Sequence, residues 1–166
     1  PTTSISEIKP IDQGIKYPQK SMEIVEHSYK FIRDHAIGDM LPGAEKRYQD
    51  SLRVLRAEPQ FIDDLKELFV STRPIHFNQR WLIMDTMSQL DVRAGVELYK
   101  AILDEGVLVD KVAHSMPNPQ RMVQFAAVDH LARAASAGDE DALRYLRDVR
   151  NHPEMDVAEY AKQLPL

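Results

Sequence analysis

ALRYLRDVRNHPEMDVAEYAKQL, residues 142–164, decides the fold class. Leu143, Leu146 and Val149 recur every three residues, a spacing that keeps side chains near one face of an α-helix. His152 and Pro153 interrupt the pattern, because proline cannot continue a helix. Val157, Tyr160, Ala161 and Leu164 then resume it. A helix over 140–150, a short turn and a further helix over 155–163 are expected. Asp139 suits the N-cap of the first, and Gly138 closes the element before it.

The same periodicity extends towards the N-terminus. Met122, Phe125, Val128 and Leu131 predict a helix over 120–136, behind the break at Pro117, Asn118 and Pro119. Val92, Val96, Tyr99, Ile102 and Leu103 predict a helix that Asp91 caps and Gly106 ends. A short helical piece is expected over 107–116. Trp81, Met84, Met87 and Leu90 form the inward stripe of 77–90, and Phe61, Leu65, Leu68 and Phe69 that of a helix opened by Pro59. Tyr48, Leu52 and Leu55 do the same for 44–57, and Met22, Val25, Tyr29 and Ile32 for 21–36. Alternation of period two never persists, so the expected class is all-α. Residues 1–20 differ: Pro10, Gly14 and Pro18 exclude a long helix, and Ile5, Ile8, Ile11 and Ile15 are the one regularity. They read as an extended arm that tucks its isoleucines against the body or docks on a partner. Residues 21–166 read as a single all-helical domain.

Composition narrows the function classes. The chain has 166 residues, 43% hydrophobic and 28% charged, which suits a globular domain with its own core. Cysteine is absent, which excludes a disulfide scaffold, thiolate-bound zinc and a cysteine nucleophile. The net charge of −5 argues against nucleic acid as the partner, since such proteins carry a basic excess. No apolar run reaches the length of a membrane span. The chain begins at Pro1 rather than Met, so removal of a preceding segment, by a cell or by cloning, is the expectation. A soluble protein is expected, either cytoplasmic or exported after cleavage.

The helices also repeat. A shift of 44 residues lays Met84, Asp85, Met87 and Leu90 on Val128, Asp129, Leu131 and Ala134, and Lys100 and Ile102 on Arg144 and Leu146. A shift of 35 lays Asp50, Leu52 and Leu55 on Asp85, Met87 and Leu90. Helix pairs over about 44–70, 77–104 and 120–150 follow, with 155–163 opening another. Asp50, Asp85 and Asp129 then share one repeat position, where an acid caps or braces a neighbouring turn or a lined-up row binds a cation or a basic peptide.

These residues resemble HEAT-like, armadillo-type helical repeats. In 142–164 a helix ends near a short turn with proline, and an acid and a valine open the next small-residue helix. FAAVDHLARA at 125–134 has the same character, and DVRAGVELYKAIL at 91–103 echoes it. The resemblance spans roughly 44–164; the long connector at 105–119 and the poor fit of the first pair depart from it. It implies a short α-solenoid of about three helix pairs, capped at its N-terminal end by 21–36. An irregular compact helical bundle explains the same periodicity.

Candidate chemistry is sparse. No two histidines have the i, i+4 spacing of a helical metal pair. Glu23, His27 and His35 come nearest to one face, and the expectation is no metal and no cofactor. No phosphate-binding glycine loop or nucleophile-elbow serine is present, so no catalytic residue is assigned. The cations are more suggestive. Arg144, Arg147 and Arg150 recur every three residues, and Arg93 and Lys100 lie a heptad apart. In the family resembled, the second helix of each pair lines a concave face where partners bind. These five residues are the candidate partner-binding stripe, although Arg93–Glu97, Asp141–Arg144 and Arg144–Asp148 also have the spacing of ordinary surface pairs. The expected function is a non-catalytic module for a protein or peptide, with the cations suiting an acidic one. The alternatives are an enzyme on the same scaffold, metal-dependent or base-repairing, and a structural subunit assembled through the arm.

Overall fold

The computed structural model describes residues 43–57, 60–109 and 118–165, and helix is the dominant element throughout. The α-helices are α1 (Ala44–Arg56), α2 (Phe61–Ser71), α3 (Phe77–Asp91), α4 (Val96–Asp104), α5 (Pro119–Ser136), α6 (Glu140–Val149) and α7 (Met155–Lys162), with a 3-10 turn at Arg93–Gly95. Among the described residues there is no strand, so the all-α expectation holds there. No described helix is long and apolar enough to cross a membrane. The arm at 1–20, the helix at 21–36 and most of the short piece at 107–116 lie outside the described residues.

The chain divides into two compact units, one ending at Leu90 and the other beginning at Asp91. The division falls within the stretch 77–104 that the repeat pattern treats as one helix pair. In the first unit, Leu52 and Leu55 of α1, Phe61, Leu65, Leu68 and Phe69 of α2, and Met84, Met87 and Leu90 of α3 are all buried. The guanidinium of Arg56, at the end of α1, donates to the carbonyls of Gln89 (2.6 Å) and Leu90 (3.1 Å). It satisfies the carbonyls that α3 leaves without intrahelical partners. Helix α3 is buried almost all round, with Gln79, Arg80, Thr86 and Ser88 as well as its apolar residues inside. Its least buried line is Trp81, Asp85 and Gln89, four residues apart. Trp81, expected inward, is therefore only half-buried.

In the second unit α4 packs on α5, α5 on α6, and α7 on both α5 and α6. Local chemistry sets the helix ends. The Asn118 carboxamide accepts from the backbone N–H of Gln120 (3.0 Å) and Arg121 (3.2 Å), with Pro119 in the first turn of α5. At the other end the Asp139 N–H reaches the Ala134 carbonyl (3.1 Å) and the Gly138 N–H that of Ala135 (3.0 Å). This is a Schellman closure, and it needs the left-handed φ of +98° that Gly138 supplies. Asp139 then caps α6 by accepting from the Ala142 N–H at 2.9 Å. Three residues thus stop one helix, turn the chain and start the next.

Two local expectations change. Asp91 does not start a long helix; it ends α3, and its carboxylate accepts from Ala94 N–H (3.3 Å) to steady the 3-10 turn. Helix α4 begins at Val96, leaving Val92 half-buried in the turn. On α5 the buried line is Gln120, Gln124, Ala127, Leu131 and Ala134, and Met122 is 57% exposed. A helix turns about 300° in three residues, so a stripe read in pure steps of three slips about 60° at each step. Alternate steps of four and three keep to one face.

Candidate functional site

Buried and half-buried polar side chains hold the second unit in register. The Gln120 side chain is enclosed below the α4–α5 connector. Its oxygen accepts from the N–H groups of Leu108 (2.8 Å) and Val109 (3.2 Å), and its NH2 donates to the Gly106 carbonyl (2.9 Å). One amide thereby satisfies three backbone groups of an irregular loop. Arg121 donates to Asp156 and Glu154 at the start of α7, both at 2.6 Å, and to the Gln124 oxygen at 2.5 Å. Tyr160 of α7 stacks on Phe125 and donates its hydroxyl to Asp129 at 2.8 Å. Asp129 thus braces a neighbouring helix, whereas Asp50 pairs along its own helix with Lys46 and Arg53. Burial, and secondarily the Asp129 carboxylate, push the Tyr160 phenol up.

The candidate cations all lie in the second unit. Arg93 faces Asp139 at 3.8 Å, Lys100 faces Glu97 at 3.5 Å, and Arg144 pairs with Asp141. Lys100 also lies 5.4 Å above the Tyr145 ring, which ties α6 to α4 by donating to Asp104 and facing the Lys100 carbonyl at 3.3 Å. Burial and the Asp104 carboxylate push the Tyr145 phenol well up. Arg150 donates to the Leu164 carbonyl at 3.4 Å. Arg147 is exposed and has no ion-pair partner among the described residues. Three of the five cations are therefore offset by acids of their own unit, and acids interleave the α4–α6 face.

A groove of about 660 Å³ opens at the C-terminal end of α5. Its walls are Val92, Ala132, Ala135, Leu143 and Leu164, and Arg133 stands among them. The small side chains of the α5 end and the turn at Gly138 leave this space unfilled. Arg133 is exposed; among the described residues its hydrogen-bond contact is Nη1 to His130 Nδ1 at 3.4 Å. Sequence reading passed over Arg133, although a lone cation within Ala132–Ala137 was the available signal. Gln120 and Gln124 were passed over for another reason: hydropathy places glutamine outside, and here its amide serves buried backbone or a neighbouring guanidinium.

Three further titratable side chains are packed or hydrogen-bonded in place. A smaller cleft of about 230 Å³ is lined by Asp104, Gly106, His152 and Glu154. His152 Nε2 donates to the Leu103 carbonyl (2.6 Å), and its Nδ1 accepts from the Glu154 N–H (3.0 Å). Both ring nitrogens are committed, so the imidazole is held as a strut. His130 is buried beside the Tyr99 ring, 5.3 Å between centroids, and burial plus the Arg133 charge hold it down at about 4. In the first unit, burial lowers Arg80 to about 10, with its guanidinium 4.2 Å above the Phe69 ring. Among the described residues no cluster of three or more His, Asp or Glu could hold a metal ion. Glu23, His27 and His35 lie outside them. No protein-family model, curated protein or solved structure matches this chain.

Proposed function

We propose that this chain is a non-catalytic binding module for a protein or peptide, built on short HEAT-like helical repeats. The groove at the end of α5 carries this reading: it is open, lined largely by aliphatic side chains with Ser136 among them, and edged by a cation. Such a surface takes up a side chain and orients it, and requires no reacting group. The three-residue turn between α5 and α6, and the Asp129–Tyr160 brace to α7, support a repeat-like stacking of helices. On this reading Arg144 and Arg147 steer an acidic partner into place rather than hold it, because both are exposed and Arg144 already has an acid beside it.

A crosslinked pull-down with the full chain, followed by titration of the purified partner, tests the reading. A stoichiometric complex is expected. Reversing Arg144 and Arg147 together should slow its association at low salt, and Ser136→Trp, which fills the groove, should weaken it. Failure to recover any stoichiometric partner, or discovery of a substrate turned over by the purified chain, overturns it.

A further inference from the structure

We propose that the groove at the end of α5 binds a short peptide segment carrying an aliphatic side chain beside a carboxylate, with Arg133 taking the carboxylate. This rests on the binding-module reading and names the ligand of its groove. Size is the first support. A volume of about 660 Å³ lies well above that of a packing void and within the usual range of about 300–1,000 Å³ for ligand pockets. The walls are the second. Val92, Leu143 and Leu164 offer carbon, and alanines at 132, 135 and 137 let a ligand come close. An aliphatic side chain sheds water against these carbon atoms.

Charge is the third support, and it selects the carboxylate. Arg133 is the one charged side chain in the lining of this groove. It has no carboxylate partner among the described residues. The acid of the adjoining turn, Asp139, is already engaged by the Ala142 N–H and by Arg93. The other arginines differ: Arg121 and Arg144 have carboxylates, Arg150 has a carbonyl, and Arg147 stands outside the groove lining. A guanidinium beside an apolar wall is weakly hydrated and presents a planar fork, so it receives a carboxylate in two-point contact. A nucleic-acid backbone fits poorly, since it requires many cations along a track and the groove has one.

The test pans a random peptide library on the full chain and titrates the enriched, fluorescently labelled peptides by anisotropy. Peptides with Asp or Glu next to Leu, Ile or Val are expected. Arg133→Glu should weaken them by about tenfold or more, the value of one charge-assisted hydrogen bond. Replacing the peptide's acid with lysine should restore binding to that variant, which a misfolded protein would not do. Ser136→Trp should also weaken binding, and circular dichroism should stay unchanged for both variants, because both positions are exposed. Enrichment of basic or purely apolar peptides, or binding indifferent to Arg133→Glu and Ser136→Trp, overturns the proposal. Binding lost only on joint reversal of Arg144 and Arg147 moves the site to α6 and spares the module reading. A library that yields no binder counts against both.

Discussion

Acidification should weaken the second unit through a single imidazole. His130 sits in the middle of α5, 7% exposed, with the Tyr99 ring of α4 against it. Burial, and to a smaller extent Arg133, lower it from the ordinary 6.5 to about 4. The folded value lies below the unfolded one, so as pH falls the unfolded chain takes up the proton first. The stability that His130 confers by staying neutral is complete above about 6.5, falls between 6.5 and about 4, and levels off below. At about 1.4 kcal/mol for each pH unit, that interval corresponds to about 3 kcal/mol. The comparison is wild type against His130→Gln, which keeps a polar side chain and removes the titration. Urea unfolding should be followed at a series of pH values by far-UV circular dichroism. Tryptophan emission would follow the other unit, since Trp81 precedes the division at Leu90. Between pH 7 and pH 4 the wild type should lose about 3 kcal/mol more than the variant. Parallel curves, or a His130 imidazole that titrates near 6.5 by NMR, would refute the reasoning.

Gly138→Ala should cost about 1–2 kcal/mol, because φ is +98° and the added Cβ meets no atom within 4 Å, so the penalty is backbone strain alone. Thermal unfolding measures it; an unchanged midpoint would mean that the turn can close in another way. Gln120→Leu should destabilise the second unit by about 2–4 kcal/mol, since three backbone groups lose their partner at once. Amide exchange at Leu108 and Val109 should speed up, and protection equal to wild type would show that the loop is held elsewhere.

The helices and most of their boundaries were legible because their causes are local. Asn118 and Asp139 each cap within three residues of themselves, and Gly138 closes a turn with carbonyls three and four residues back. The inward faces were less legible. The stripe on α5 was misjudged at Met122, since apolar residues alone do not reveal that two glutamines occupy core positions. Whether Gln120 is an exposed amide or a buried one depends on a loop eleven to fourteen residues earlier presenting its N–H and carbonyl groups. The cationic stripe was visible as a spacing, but its partners were not all visible. Arg144–Asp141 could be anticipated from one helix turn, whereas Arg93–Asp139 joins two turns far apart in the chain.

The sequence by itself determined the helical class, the placing of the turns and the absence of cysteine chemistry. These follow from backbone hydrogen bonding within a turn, from proline and glycine sterics, and from composition. Tertiary structure alone decided that α3 is enclosed on nearly every side, that Arg121 clamps the start of α7, and that Val92, Arg133, Leu143 and Leu164 surround one groove. Helix formation is settled by neighbours a few residues apart, whereas a groove is the space left where elements distant in the chain fail to meet. Its shape depends on which side chains happen to be small at that junction, and no periodicity encodes it.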